Sequence, residues 1–150
     1  MNFKLFTFLF IFLVASTAVF GQNRTVDADG NYNGVIRVKF DDAMVKQMEQ
    51  LHQQKSNSLN VIQATEKGYV LTSNAAINTQ NKTFKAFEYK RVFRYAGKFE
   101  QRHREFGLHK WYEISFNTKA SVSQLLQAYG ELDHIEIAEA LPKMTLYDNH

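Results

Sequence analysis

Apolar and polar positions alternate over residues 35–40 (VIRVKF), with Ile36, Val38 and Phe40 on one side and Arg37 and Lys39 on the other. That period of two predicts a strand with one buried face. Asp41 and Asp42 follow at once as N-cap candidates, where negative charge suits the start of a helix. Met44, Met48 and Leu51 then recur at i, i+4 and i+7, which predicts a helix reaching to near Gln53. Residues 54–60 are polar. Residues 61–72 carry a weak pattern, with Tyr69, Val70 and Leu71 as a short strand, and 73–81 suit a single helical turn capped by Ser73. Residues 85–94 alternate again, setting Phe87, Tyr89 and Phe93 against Glu88, Lys90 and Arg94. A short helix is predicted over 98–106, stopped by Gly107. Residues 109–116 read as a strand with Tyr112, Ile114 and Phe116 on one face and Trp111 and Glu113 on the other. Ser121 and Gln124 have capping-box spacing, and Val122, Leu125, Leu126 and Tyr129 form the cleanest amphipathic stripe in the chain, with Gly130 near its end. A final strand over 134–141 is expected to bury Ile135 and Ile137, and Pro142, the sole proline, closes it.

This order, β-α-β-(short α)-β-α-β, predicts an α+β fold of the ferredoxin-like, split βαβ kind: an antiparallel β-α-β-β-α-β sheet with two helices on one face and an extra short helix in the middle hairpin. Both long helices would then cover the same face. Arg37, Lys39, Lys90, Trp111, Glu113, Glu136 and Ala138 are expected on the bare one. With strand order 4-1-3-2, Glu113 and Glu136 flank the strand of Arg37 and Lys39, so opposite charges meet across neighbouring strands. One Trp among paired charges suits docking onto another protein.

The first residues change the picture of the chain's destination. An apolar run over residues 5–20 follows one charge, Lys4, and ends in small residues up to Gly21. This reads as a secretory signal peptide, 1–21, cut after Gly21 or alternatively after Ala18; as a membrane span it is short. The remaining chain divides into a polar leader, 22–33, one domain, 34–142, and a tail, 143–150. The expected location is secreted, periplasmic or cell-surface, with no membrane attachment after cleavage. The formal charge of +3 includes Lys4, leaving 17 basic against 15 acidic residues, or +2. That is too little to imply a nucleic-acid partner. The absence of cysteine excludes disulfides, a lipoprotein anchor, a thiol nucleophile and a thiolate metal site.

No constellation for catalysis, cofactor or metal is visible: no G-x-S-x-G, no Gly-rich phosphate loop, no H-E-x-x-H and no EF-hand loop. The five His (52, 103, 109, 134 and 150) are scattered, and structural or exposed roles are expected for each. Residues 82–110 hold nine basic residues against three acids, interleaved with aromatics. The favoured reading is a solvated basic edge whose aromatics fill the core; an acidic partner is the alternative. Asn23 and Asn81 begin sequons, Asn-Arg-Thr and Asn-Lys-Thr.

Three stretches together resemble the N-terminal prodomain, of fervidolysin type, of secreted subtilisin-like serine proteases. They are GVIRVKF (34–40), KRVFRYAGKFE (90–100) continuing through RHREFGLHKWYE (102–113), and IEIAE (135–139). The middle stretch is the specific one. A departure is that Ala140 follows Glu139 where the family has proline, which here comes at 142. The resemblance implies a folding chaperone and inhibitor of a subtilisin-like catalytic domain, acting in cis or in trans. Arg37, Lys39, Trp111, Glu113 and Glu136 would dock on the protease. The tail, Lys143, Met144, Thr145, Leu146 and Tyr147, would occupy its active-site cleft as an extended strand. Nothing matches the Asp, His and Ser motifs of a subtilase, so the chain is expected to be no enzyme itself, but a stand-alone inhibitor or the front part of a longer precursor. A binding module of the same fold with an unrelated acidic partner is the second expectation.

Overall fold

The computed structural model describes residues 24–55 and 58–144. The expected signal peptide and tail residues Thr145, Leu146 and Tyr147 lie outside the described residues. Five strands and four helices follow one another: β1 (Asn31–Phe40), α1 (Asp42–Lys55), β2 (Val61–Gln63), α2 (Ala75–Phe84), β3 (Ala86–Arg91), α3 (Glu100–Glu105), β4 (Trp111–Phe116), α4 (Val122–Gly130) and β5 (Ile135–Pro142). The strands form one antiparallel sheet in the order β2-β3-β4-β1-β5. The α+β class read from the sequence is therefore observed, with a fifth strand at one edge.

Local chemistry explains the element ends. The Met44 amide donates to the Asp41 carboxylate at 2.8 Å, capping α1. At α4 the Gln124 amide donates to Ser121 Oγ at 3.2 Å while the Ser121 amide donates back to Gln124 Oε1 at 2.9 Å, the reciprocal box the spacing predicts. Gly107 takes φ +67°, in the left-handed region, and ends α3 as expected.

One apolar core lies between the sheet and three helices. Ile36, Val38, Phe40, Tyr89, Tyr112, Ile114 and Phe116 point from the strands onto Met44, Val45 and Met48 of α1, Ile77 of α2, and Val122, Leu125 and Tyr129 of α4. The helices share one face of the sheet.

Several expectations are corrected. The predicted single turn at 73–81 is the ten-residue helix α2, capped by Asn74 rather than Ser73, since the Ile77 amide donates to Asn74 Oδ1 at 2.9 Å. Residues 69–71 form no strand; Val61–Gln63 does, on β3. The first strand starts at Asn31, within the stretch read as leader, and Val26 makes a bridge with Tyr32. In β3 a register shift between Ala86 and Glu88 leaves Phe87 without a partner on β4, so Ala86 and Tyr89 both face the core; Arg91 is buried too, and Phe93, beyond the end of β3, is exposed. In β5 a second shift opposite Lys39 and Phe40 turns the strand over after Ile135. Ile137, expected in the core, is 42% exposed. Ala138, expected on the bare face, packs against the core instead.

Candidate functional site

The face of the sheet away from the helices is built by alternation. Arg37 and Lys39 project from β1 between the core-facing Ile36, Val38 and Phe40, and Trp111 and Glu113 project from β4 between Tyr112 and Ile114. Register brings them together: Arg37 pairs with Glu113 on one side and Glu139 on the other, and Lys39 lies between Trp111 and Ile137. The five residues singled out from the sequence (Arg37, Lys39, Trp111, Glu113 and Glu136) thus share one surface.

Most of its charges are paired within the chain; among the described residues Lys90, opposite Glu113, is in no ion pair, and Arg37 Nε has no hydrogen-bond partner. Arg37 Nη2 lies 3.2 Å from Glu113 Oε1, and Arg37 Nη1 lies 3.6 Å from Glu139. Lys39 Nζ lies 2.9 Å from Glu136, which also faces Lys110 Nζ at 3.8 Å. Lys110 in turn sits 2.7 Å from Asp42 and holds that carboxyl below its ordinary range. The part-buried pairs of Arg37 and Lys39 keep contact with water and contribute on the order of 1 kcal/mol each, so their effect is to hold side chains in register rather than to hold the fold. Trp111 is half-buried among them, on the middle strand. Glu139 and Ile137 were missed by sequence reasoning because the shift that turns β5 over has no signature in the pattern of residues.

One end of this face is closed. Val35 and Ser115 point the same way as Arg37 and Glu113, yet both are buried, and Arg24 Nη2 donates to Ser115 Oγ at 3.3 Å. At the free edge, β5 runs on to Lys143, whose amide donates to the Gly30 carbonyl at 2.9 Å, and Met144 is solvent-exposed.

The basic stretch 82–110 does not behave as expected. Its aromatics do not all fill the core: Phe99 is 55% and Phe106 76% exposed, and Phe93 and Tyr95 are exposed as well. Arg91 is buried and paired with Glu100 at 2.7 Å. Burial alone would raise the Glu100 carboxyl, but the Ala96 amide and the Arg91 guanidinium outweigh it and hold it below its ordinary range. Beside this pair, a pocket of about 230 Å³ is lined by Glu49, His52, Leu59, Arg91, His109 and Tyr112, among others. His52 Nδ1 donates to the Ser58 carbonyl at 3.1 Å, leaving Nε2 to accept from the Tyr112 hydroxyl at 3.2 Å. Burial lowers the pKa of both His52 and His109. Among the described residues, no three His, Asp and Glu side chains are grouped to hold a metal ion, and no helix is long and apolar enough to cross a membrane.

Comparison with known proteins finds no family model, curated protein or solved structure that matches this chain.

Proposed function

We propose that this chain is a prodomain-like module that chaperones and inhibits a subtilisin-like serine protease, in cis or in trans. The observation that carries the reading is the one-sided sheet: α1, α2 and α4 all pack on one face, and the opposite face presents Trp111 beside the ion pairs of Arg37 and Lys39. A partner covering this face meets Arg37 and Lys39 already ion-paired, and has to offer an acceptor to Lys90, since a charge buried without a partner costs several kcal/mol. Arg37, Lys39, Trp111, Glu113 and Glu136 are its docking residues, to which the geometry adds Ile137 and Glu139.

The ferredoxin-like reading belongs to the same proposal. Setting aside the short β2, the order β5-β1-β4-β3 is that of the split βαβ arrangement, 4-1-3-2. The edge position of β5 favours a tail that leaves the sheet as extended chain, the form in which a protease cleft takes up a strand. Residues 143–147 are assigned that role, and the module itself carries out no catalysis.

The test is inhibition of a subtilisin-like protease exported by the same cell, using the purified chain. Truncation after Lys143 keeps the Lys143–Gly30 hydrogen bond and should abolish inhibition while leaving binding detectable. Absence of both inhibition and binding by the full chain would sink the proposal.

The exposed Phe99 and Phe106 among Lys98, Arg102 and Arg104 favour a second reading, a binding module for an acidic partner. Binding to an acidic polymer that collapses with added salt, without protease inhibition, would support it.

A further inference from the structure

A groove of about 810 Å³ lies at the end of β3 and β4 remote from Trp111. Its floor includes Tyr69, Phe87 and Phe116, and three lysines, Lys67, Lys82 and Lys85, line it without any carboxylate. Among the described residues none of the three is in an ion pair, whereas Arg37, Lys39, Arg91, Arg104 and Lys110 all are.

The lysines come from three separate pieces of backbone, each held in place. Lys67 sits in a turn closed by the Gly68 amide donating to the Thr65 carbonyl at 2.9 Å and by the Thr65 amide donating to Tyr69 at 3.1 Å. Lys82 lies in the last turn of α2. Lys85 follows that helix at φ +53° and ψ +55°, the one non-glycine residue with positive φ among the described residues. Its amide donates to the Asn81 carbonyl, and its carbonyl accepts from the Asn117 amide at 3.0 Å.

A helix C-terminus attracts cations, which accounts for Lys82 and for Lys85, the C-cap of α2, but not for Lys67. Lys67 is on a different loop, and the position of Lys85 is one that Gly or Asn fills at lower cost. The left-handed conformation of Lys85 is the usual one at a helix end, and the bulge at Phe87 beside it breaks the pairing with β4 only, since the Phe87 carbonyl accepts from the Ala64 amide at 2.8 Å. Concave volume, an aromatic floor and a few convergent charges are the marks of a small-molecule site.

We propose that this groove binds a small phosphorylated molecule bearing a planar ring, the ring against Tyr69 and Phe87 and the phosphate among Lys67, Lys82 and Lys85. It is separate from the sheet face assigned above to a protease, and its test does not depend on that assignment.

Backbone amide shifts of Gly68, Lys85 and Asn117 are followed by NMR as the full chain is titrated with phenyl phosphate, ATP and inorganic phosphate. Phenyl phosphate and ATP should saturate these shifts, with inorganic phosphate at least about tenfold weaker, since it lacks the ring. Lys85→Gly should weaken binding by about tenfold while its thermal midpoint stays equal or rises, because glycine relieves the left-handed backbone. Lys67→Ala should weaken binding similarly, and Lys98→Ala should not. Equal binding of inorganic phosphate, equal loss in Lys98→Ala, stronger binding of a polyglutamate peptide, or no saturable shift would each overturn the proposal.

Discussion

Tyr89 and Tyr129 donate to the same atom, Oδ1 of Asn81, at 2.6 and 2.7 Å, and all three side chains are buried. The amide of Asn81 completes the set by donating from Nδ2 to the Val70 carbonyl at 2.8 Å. One carboxamide therefore ties α2 to β3, to α4 and to the loop before α2. Burial raises the pKa of both phenols, so they remain neutral donors. Asn81→Ala strands two hydroxyls and a carbonyl, each costing about 1–3 kcal/mol when buried without a partner. A loss of about 3 kcal/mol or more is expected in urea unfolding. Tyr89→Phe and Tyr129→Phe should each cost about 1 kcal/mol, since Oδ1 keeps its other donor. The same burial bears on the sequon at Asn81, because a glycan there is incompatible with this fold.

Arg91 and Glu100 make a buried ion pair, and Glu100 also accepts from the Ala96 amide at 3.0 Å. Removing one partner leaves the other charge buried alone, which costs about 3–5 kcal/mol. Glu100→Ala is expected to destabilise by that amount. The exposed pair Arg104–Glu49 gives the contrast: Glu49→Ala should cost less than about 1 kcal/mol. Equal losses in the two variants would contradict the assignment of Arg91 to the interior.

Acid should weaken the fold in two stages. His52 and His109 have pKa values below the ordinary 6.5 because burial penalises the charged ring. The unfolded chain therefore takes up these protons first, and stability falls as pH drops from about 7 through 6.5 and below. Asp41 and Glu100 are also held below their ordinary values, against the opposing effect of burial, by His134 and the Met44 amide in one case and by the Ala96 amide and Arg91 in the other. Their contribution persists above the unfolded carboxylate pKa and is lost on further acidification. Unfolding midpoints measured at intervals from pH 7.5 to 3 should show both declines, and His52→Gln should flatten the first. A midpoint that rises between pH 7 and 5 would contradict the buried neutral imidazoles.

Much of this architecture was legible where one physical signal dominates. The stripe of Val122, Leu125 and Tyr129 with its Ser121–Gln124 box and the alternation over Val35–Phe40 and Trp111–Phe116 correspond to α4, β1 and β4. Short-range pattern failed where the backbone departs from regular geometry. The shift after Ile135 changes which face later side chains join, and the one at Phe87 displaces Phe87 while Tyr89 keeps the core position that alternation gives it; no residue type announces either. Helix α2 was under-read because its sequence, AAINTQNKTF, is mostly polar, and its key interior contact is the carboxamide of Asn81. On the candidate site, Arg37, Lys39, Trp111 and Glu113 were legible from alternation alone. Glu139 required the register.

Trp111 distinguishes a docking surface from a packing one. It is half-buried on the helix-free face, opposite Lys39, whereas its neighbour Tyr112 is fully buried against Phe40 at a ring separation of 5.6 Å. Truncating a fully buried aromatic costs about 3–5 kcal/mol, and a side chain that keeps part of its surface in water gives up less. Trp111→Ala should thus lower the stability of the isolated chain by less than about 2 kcal/mol, while a central aromatic anchor at an interface costs about 2 kcal/mol or more of binding energy when removed. Under the proposed function, inhibition of a subtilisin-like protease by Trp111→Ala should accordingly weaken by at least about thirtyfold. Unfolding of the free variant at room temperature would assign Trp111 to the core, and unchanged inhibition would remove it from the interface.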